Sequence, residues 1–427
     1  MKNARARGAV MLIVVALISG CAHVPIEELE SYRTAFHQVS TVSGALYEEA
    51  ATVVVDVEAA QLALKRGGRD VGAGSVNPPS SFDPVKVDGS GGRTRDLPEP
   101  IALRLSAMQT VVAYNDALVA HASGDPLEKV VAPLKVAAGQ IEGFAALASS
   151  IPAMKTLGLG PVTGLGSLAV KLNPFGSLAS GALEGLKGFA RLALQAKAEN
   201  EVREALLAGY APVQQVLAIL EADSEQVYGF QKVRCALTRY EAINMTGKTL
   251  GSIAGLSEAF ARPTQAALAT TVGALEQRMT ASVIAIYQPS TEFDPCGSGE
   301  TGMTTPAKLE QLIGFPYKFP FAQQLGKPMT DNAAQALDVF VTDYEKHAAR
   351  TVAARESLQN YHSRVLPDYV ILLRNAKRGL ETVRVSASRQ PAPAERAVDL
   401  IKIGANIRSN IDSIRSAKKA DVTTTFP

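Results

Sequence analysis

The stretch LESYRTAFHQVSTVSGALYEEAATVVVDVEAAQLAL, residues 29–64, decides the fold of this chain. Its apolar or small residues recur at alternating steps of three and four, which is the spacing of a coiled-coil seam. They are Leu29, Tyr32, Phe36, Val39, Ser43, Leu46, Ala50, Val53, Val57, Ala60 and Leu64. At 1.5 Å per residue, this spacing predicts one helix on the order of 60 Å long, which ends at Gly67-Gly68. Because only one stripe is apolar, we expect other helices of the same chain to cover it.

The rest of this 427-residue chain repeats the helical spacing and shows almost no strand-like alternation. We therefore predict an all-α fold, an elongated bundle of long antiparallel, coiled-coil-like helices. The predicted layout is a first long helix within residues 21–66, a helical bundle over 101–287, and further helices of the same bundle over 330–427. A flexible Gly/Pro-rich linker over 67–100 and a loop region over 288–329 lie between these parts.

The sequence also predicts the faces and breaks of individual helices. The first helix of the bundle carries one apolar face, which consists of Ile101, Leu105, Met108, Val112 and Leu118. One long helix is predicted over residues 182–245, with a kink at Pro212. Pro367 is expected to interrupt a later helix. The last helix carries an apolar face of Leu400, Ile403, Ile407, Ile411 and Ile414.

The N-terminus has the form of a targeting segment. Three basic residues precede an uncharged run whose apolar core, AVMLIVVALI, is too short to span a bilayer but fits a secretory signal peptide. The run ends in LISGCA, where two small residues stand directly before Cys21. This motif resembles the lipobox of bacterial lipoproteins. In that class the signal peptide, here residues 1–20, is removed and the cysteine is acylated.

The resemblance implies that acyl chains of the palmitate type on Cys21 attach the protein to a membrane. Two or three chains hold a protein there almost irreversibly, since each buried methylene adds roughly 0.8 kcal/mol. Ala22, rather than Asp, follows the cysteine. By the sorting rule of the family this favours the bacterial outer membrane, and we expect the protein to face the periplasm. Without residues 1–20, 40 basic residues stand against 41 acidic ones, which argues against binding to nucleic acid.

Two of the three cysteines, Cys235 and Cys296, are not assigned to lipid. An oxidising compartment favours a disulfide between them, which would stabilise the fold by roughly 4 kcal/mol in the chain-entropy model. The alternative is two unpaired thiols, one in a helix and one in a loop. Two cysteines and five scattered histidines show no metal-ligand spacing, so no metal is predicted.

The segment TLGLGPVTGLGSLAVKLNPFGSLASGALEGLKG, residues 156–188, is apolar and rich in glycine. Pro161 and Pro174 divide it into runs too short for a transmembrane helix. Two interpretations stay open: a buried connection between helices, or a hairpin that contacts a membrane. Two short apolar arms between long helices resemble the hydrophobic tongue of cytolysin-type α-pore-forming toxins. The candidate contact residues are Leu157, Leu159, Leu165, Leu168 and Phe175.

The segment FPYKFPF, residues 315–321, places four aromatic side chains at every second position: Phe315, Tyr317, Phe319 and Phe321. In an extended or polyproline-like backbone several of these rings can share one side. They form either a contact for a partner or a membrane interface, or a lid that packs over the bundle.

Motifs of enzymes and nucleotide-binding proteins are weak in this chain. AINMTGKT, residues 242–249, fits a relaxed phosphate-loop pattern but follows a helical segment instead of a strand, so we interpret Thr246-Gly247 as a turn between helices. GLGSLA, residues 164–169, lacks the βαβ context of a dinucleotide site. Asp223 and Glu225 are interpreted as part of a solvated helix face. No hydrolase or metalloprotease motif occurs, so we predict neither a cofactor nor catalytic residues.

Together these features predict a lipid-anchored envelope lipoprotein with a structural, scaffold or binding role. Its expected partners are the membrane, through the acyl chains, and unidentified envelope proteins. The alternative is a membrane-inserting or α-pore-forming protein that acts through residues 156–188. An enzyme whose site is assembled only by the fold is the third possibility.

Overall fold

The computed structural model describes residues 26–65, 99–150, 156–159, 168–171, 174–256, 331–387 and 394–424, together with helical residues at 274, 277–278, 281–282 and 285–286. The predicted signal peptide, the predicted linker up to residue 98 and the loop region 288–329 lie outside the described residues. Cys21, Leu165, Cys296, Phe315, Tyr317, Phe319 and Phe321 also lie outside them.

The described residues form helices and one two-stranded β-hairpin. In chain order the elements are α1 (Ile26–Lys65), α2 (Glu99–Ala122), α3 (Leu127–Ser150), β1 (Thr156–Leu159), β2 (Leu168–Lys171), α4 (Pro174–Gln195), α5 (Glu199–Leu256), α6 (Asp331–Asn360), a π-helical turn (Tyr361–Val365), α7 (Leu366–Ala387) and α8 (Ala394–Thr424). The π-helical turn joins α6 and α7 into one continuous helix. The predicted all-α fold class is confirmed.

Helix α1 confirms the predicted seam from Leu29 to Val53, while the side chains of Val57, Ala60 and Leu64 lie outside the described ones. The seam residues from Leu29 to Val53 are each at most 1% exposed. Burial also extends beyond the seam to Ala35, Val42 and Tyr47. Helices α2, α5, α7 and α8 all pack on α1, so its covered face is wider than one seam. The apolar face predicted for the last helix is likewise buried in α8: Leu400, Ile403, Ile407, Ile411 and Ile414.

The directions of the helices follow from the residues that lie level with one another. Between α1 and α2, residue numbers increase along one helix while those of the contacting residues decrease along the other, so the two helices are antiparallel. The same holds for α2 with α5 and for α5 with α7. Helix α8 instead runs parallel to α1. The level pairs are Arg33 with Asp116, Gly44 with Leu105, Tyr114 with Leu206, Arg104 with Asp223, Tyr210 with Glu381, Glu221 with Arg374, Ser31 with Arg408, and Glu49 with Lys418.

One end of the bundle, which we call the proximal end, is marked by Ile26, Ala122, Gln195, Glu199 and Ala387. Here α1, α3, α5 and α8 begin, and α2, α4 and α7 end. A short turn joins α2 to α3, in which Gly124 adopts a φ of 74° that side chains disfavour. Because α3 runs away from this end and α4 returns to it, the β-hairpin that joins them lies away from the proximal end.

Helix α2 is buried on nearly every side, so the single apolar face predicted for it is incomplete. Ala107, Val111 and Tyr114 lie in the core although the predicted face omits them. Leu105 and Val112, which the predicted face includes, are only half-buried. Helices α1, α3, α5 and α7 all pack on α2. A helix that is surrounded by other helices has no solvated polar face, so its sequence lacks the periodic alternation of apolar and polar positions that reveals a buried face.

The prediction of one helix over residues 182–245 is wrong. The chain reverses at residues 196–198, and α4 packs antiparallel on α5. The Glu201 carboxylate accepts hydrogen bonds from the backbone N–H groups of Lys197 over 2.6 Å and Ala198 over 3.0 Å. A helix start leaves such N–H groups without partners inside the helix, so Glu201 stabilises a new start here.

The prediction of a turn between helices at Thr246-Gly247 is also wrong, because α5 continues through these residues to Leu256. The backbone of the AINMTGKT segment is therefore helical. A phosphate loop needs non-helical backbone that presents successive N–H groups to the ligand, so the local structure argues against a phosphate loop at this segment.

Pro212 and Pro367 lie inside helices without ending them, as does Pro133 of α3. Pro212 of α5 packs against Gly185 of α4, where a Cβ atom would lie 3.0 Å from the proline Cβ. Pro367 follows the π-helical turn instead of interrupting the helix, which corrects the prediction. A proline lacks an N–H group and collides with the carbonyl one turn earlier. The wider π turn accommodates this defect, so the helix continues.

Candidate functional site

An ion pair lies in the centre of the bundle, between α2 and α5. The Arg104 guanidinium donates hydrogen bonds to both oxygens of the Asp223 carboxylate, from Nε to Oδ2 and from Nη2 to Oδ1, the latter over 2.7 Å. The side chains are 0% and 2% exposed. The interpretation of Asp223 as part of a solvated face is therefore wrong, although Glu225 is exposed.

Three hydroxyl-bearing side chains extend this ion pair to α1 and α7. The Tyr369 hydroxyl lies 3.2 Å from Ser43 Oγ and 3.3 Å from the Tyr47 hydroxyl. All three residues are 0% exposed. Burial raises the pKa of Tyr369 to about 12, and burial followed by the charges of neighbouring groups raises the pKa of Tyr47 well above its usual value. We call these three residues, with Arg104 and Asp223, the polar cluster.

The polar cluster connects four helices but is not open to a substrate. None of its residues is more than 4% exposed. Burial raises the pKa of the Asp223 carboxyl, and the Arg104 guanidinium opposes this shift. A buried charge pair with good geometry is costly to break but adds little net stability over apolar residues. The polar cluster is therefore better suited to hold the four helices in fixed positions than to catalyse a reaction.

The apolar segment 156–188 contains a two-stranded antiparallel hairpin followed by α4. Leu157 pairs with Val170, and Leu159 pairs with Leu168. Since alternate strand positions belong to opposite faces, these four residues occupy register positions of one face of the hairpin. Strand β1 packs against α1 and α5, and β2 packs against α5. The segment thus connects α3 to α4 along the side of the bundle.

The predicted contact residues are only partly placed by the structure. Leu157 and Leu159 lie in β1, Leu168 lies in β2, and Phe175 lies in the first turn of α4. Leu157, Leu159 and Leu168 are thus brought together by the pairing of the two strands. Leu165 and the four aromatic residues of the FPYKFPF segment lie outside the described residues, so their grouping stays a prediction.

Cys235 lies on α5 and is 1% exposed. Because Cys296 lies outside the described residues, its pairing with Cys235 stays a prediction.

A cavity of about 660 Å³ lies at the proximal end, a size that suits a small ligand. Its lining residues are His121, Ala122, Gly124, Asp125, Pro126, Leu127, Val130, Glu199, Val202, Ser386 and Ala387. The polar groups among them come from separate helix ends. Among the described residues, no group of three or more His, Cys, Asp or Glu side chains could hold a metal ion. The lining therefore indicates neither a metal nor a class of reaction.

A shallower polar groove of about 410 Å³ lies between α5 and α7. The Tyr210 hydroxyl donates a hydrogen bond to the Glu381 carboxylate, and the Arg384 guanidinium lies 4.4 Å from the centre of the Tyr210 ring. Arg384 also bonds Glu381 over 2.8 Å and lowers the pKa of that carboxyl. The hydrogen bond from Tyr210 to Glu381 and the ion pair of Arg374 with Glu221, over 2.6 Å, thus link the two helices across the groove.

Within the described residues, one segment has the length and composition of a membrane span: Glu199–Ala236 of α5. Half of its most apolar window is buried, and core helices of soluble proteins meet the same criteria. Helices α1, α2, α4, α6 and α7 pack on α5. The hydropathy of this segment is thus accounted for by packing.

Comparisons of the chain with protein-family models, with curated proteins and with solved structures find no match.

Proposed function

We propose that this protein is a lipid-anchored lipoprotein of the bacterial outer membrane that faces the periplasm and has a structural, scaffold or binding role. The observation that carries the proposal is the lipobox LISGC, followed by a helical bundle that begins at Ile26, five residues after Cys21. The short spacing between the acylated cysteine and the first helix would hold the bundle near the bilayer. Unidentified envelope proteins are its proposed partners.

The contacts of the buried charged residues support a structural role over an enzymatic one. In the polar cluster, Arg104 and Asp223 satisfy one another between α2 and α5, and the tyrosine hydroxyls tie α7 to α1. Catalytic acids and bases need access to a substrate within hydrogen-bonding distance. The most deeply buried charged groups in the described part of the chain are instead fully engaged in holding helices together.

Replacing Cys21 with Ser tests the lipid anchor. We expect wild-type cells to incorporate labelled palmitate into the protein, and the membrane fraction to retain it after a salt wash, because acyl chains bind through apolar contact. The Cys21→Ser variant should lose the label completely and keep its signal peptide, which a mass measurement detects. Normal processing of this variant, or an unlabelled wild-type protein, would show that the lipobox assignment is wrong.

The proposed disulfide between Cys235 and Cys296 is tested by counting thiols. With Cys21 acylated, we expect no thiol to react with an alkylating reagent in the denatured protein, and two to react after reduction. Burial of Cys235 at 1% exposure makes denaturation essential to the assay. The Cys296→Ser variant should expose one reactive thiol. Two reactive thiols in the unreduced wild type would exclude the disulfide.

A second candidate function is membrane insertion through residues 156–188. The observation that favours it is the hairpin formed by β1 and β2, whose paired positions hold Leu157, Leu159 and Leu168. The hairpin packs on the side of the bundle, from which a rearrangement could release it. An apolar hairpin between long helices fits the resemblance to cytolysin-type proteins.

Dye release from phospholipid vesicles tests this second function. If the hairpin inserts, the wild-type protein should release an encapsulated dye, and Leu159→Asp should abolish release, because a charge at the bilayer centre costs about 3 kcal/mol or more. Val339→Asp is the matched control, since Val339 is 66% exposed on α6 and far from the hairpin in sequence. If the vesicles retain their dye in the presence of the wild-type protein, and protease still cleaves within residues 156–188 after lipid is added, insertion is excluded.

A further inference from the structure

Among the described residues, exposed aliphatic side chains are concentrated at the proximal end of the bundle. Nine large hydrophobic residues are exposed among the described ones, and six of them fall within about eight residues of a helix terminus at this end. The six, which we call the proximal patch, are Ile26, Leu192, Leu194, Leu207, Val398 and Ile401, with exposures between 40% and 60%. At 1.5 Å per residue they lie within about 12 Å of the bundle end.

The members of the proximal patch lie on several sides of the bundle. Ile26 is on α1, and Val398 and Ile401 are on its parallel neighbour α8. Leu192 and Leu194 are on α4, which packs on α3 and α5. A partner that approaches from one side would cover one of these groups, whereas a surface that meets the bundle end-on can reach both.

The proposed anchor places such a surface at this end. Ile26 follows Cys21 by five positions, and five extended residues span at most about 17 Å. An acylated Cys21 would therefore keep the first turn of α1 within that distance of the lipid. The opposite parts of the bundle, including the hairpin, lie away from it.

The charge at this end argues for apolar contact rather than electrostatic attraction. Near the patch, the exposed charged side chains are of both signs: Glu27, Arg191, Lys197, Glu199, Glu201, Arg203, Glu204, Asp399 and Lys402. Basic amphipathic helices bind anionic lipids through Lys and Arg on their polar face, and this end shows no such excess among those residues. Transfer of a half-exposed aliphatic side chain out of water contributes on the order of 1 kcal/mol, so several together add a useful second contact to an acyl anchor.

We infer that the proximal end of the bundle rests on the surface of a phospholipid bilayer, with the proximal patch inserted at the boundary between headgroups and acyl chains. This inference rests on the proposed lipid anchor. The contact fixes the orientation of the bundle, so that α1 and α5 lead away from the membrane and present the far parts of the protein to the periplasm.

The absence of tryptophan from the whole sequence makes single tryptophans precise depth probes. The mature acylated protein is reconstituted in vesicles of phosphatidylcholine with brominated acyl chains, which quench tryptophan on contact. The probes are Val398→Trp and Leu194→Trp on the proximal patch, with Ile371→Trp and Val339→Trp as controls. The control positions are 44% and 66% exposed and lie far from the proximal end.

We expect quenching at positions 398 and 194 to exceed that at positions 371 and 339 by at least about threefold, and to persist in high salt, since the contact is apolar. Equal, weak quenching at all four positions of a protein that floats with the vesicles would overturn this inference and leave the anchor intact. A protein that does not float would refute both. Blue-shifted emission without bromine quenching would identify a second copy as the occupant, and quenching that requires anionic lipid would identify an electrostatic contact; either result overturns the inference.

Discussion

Replacing Asp223 with Ala is expected to lower the free energy of unfolding by about 3–5 kcal/mol, because it removes the carboxylate that offsets the buried charge of the Arg104 guanidinium. Arg104 is 0% exposed and keeps its charge at any pH that proteins tolerate. The structure offers no nearby route to water for this side chain, since the whole polar cluster is buried. The destabilised variant should either unfold at a lower urea concentration or open α2 away from α5.

The double variant Arg104→Met with Asp223→Leu separates the cost of removing one member of the ion pair from the net contribution of the pair to stability. We expect its stability to lie within about 1–2 kcal/mol of the wild type, since apolar residues can replace a buried ion pair without large loss. Glu225→Ala is the matched control on the same helix, because Glu225 is exposed, and surface changes usually stay within about 0.5 kcal/mol. Urea unfolding followed by circular dichroism measures all three. A loss of less than about 1 kcal/mol in Asp223→Ala would contradict the structural role of the pair.

The sequence contains a pattern that indicates burial of Asp223, although the charge of this residue suggests exposure. Leu220, Asp223 and Val227 follow steps of three and four along α5, which is the spacing of a buried stripe, and all three are buried. A carboxylate next to Glu225 suggests a solvated face when charge alone is considered. Its partner Arg104 lies 119 residues earlier, so local patterns could not connect the two. A charged residue on an apolar stripe is the feature that predicts a buried pair.

The helices that were predicted best are those with one covered face. In α1 and α8 the apolar stripe and the polar remainder contrast clearly, so Leu29 to Val53 and the isoleucines of α8 could be placed from spacing alone. Helix α2 lacks this contrast because partners surround it. Its sparse charge, with Arg104 as the one Lys or Arg between Glu99 and Ala122, is the sequence signal of a central helix.

The two β-strands of the hairpin and the break before α5 were not predicted, for a different physical reason. Each strand is four residues long, too short for alternation to stand out from a glycine-rich background. The break at residues 196–198 depends on a side-chain cap from Glu201 within a run of good helix formers. In both places the tertiary arrangement of α3, α4 and α5 selects a local structure that propensity leaves open. Residues 156–188 thus contain a β-hairpin, and whether this hairpin inserts into a membrane is tested by the vesicle experiment.

A second large effect is expected at Gly379 of α7, where the helix crosses α1 at close range. A Cβ atom there would lie 2.6 Å from both Cζ and Oη of Tyr32, a distance that real Cβ contacts essentially never show. Tyr32 is 1% exposed, so its ring cannot swing into solvent. We expect Gly379→Ala to lower the free energy of unfolding by about 2–3 kcal/mol, since overpacking of a rigid core costs about this much. The gain in helix propensity from glycine to alanine, at most about 1 kcal/mol, opposes this loss without cancelling it.

Two further variants isolate the contact with Tyr32. At Gly139 of α3 an added Cβ would meet no atom within 4 Å, so Gly139→Ala should gain about 0.5–1 kcal/mol from propensity alone. Tyr32→Leu removes the ring that blocks position 379, and the loss in the double variant with Gly379→Ala should be smaller than the sum of the two single losses by at least about 1 kcal/mol. Strict additivity in urea unfolding would show that α7 and α1 do not meet at this point. Since the same crossing brings Tyr369 to Ser43 and Tyr47, a measured coupling would support the packing that positions the polar cluster.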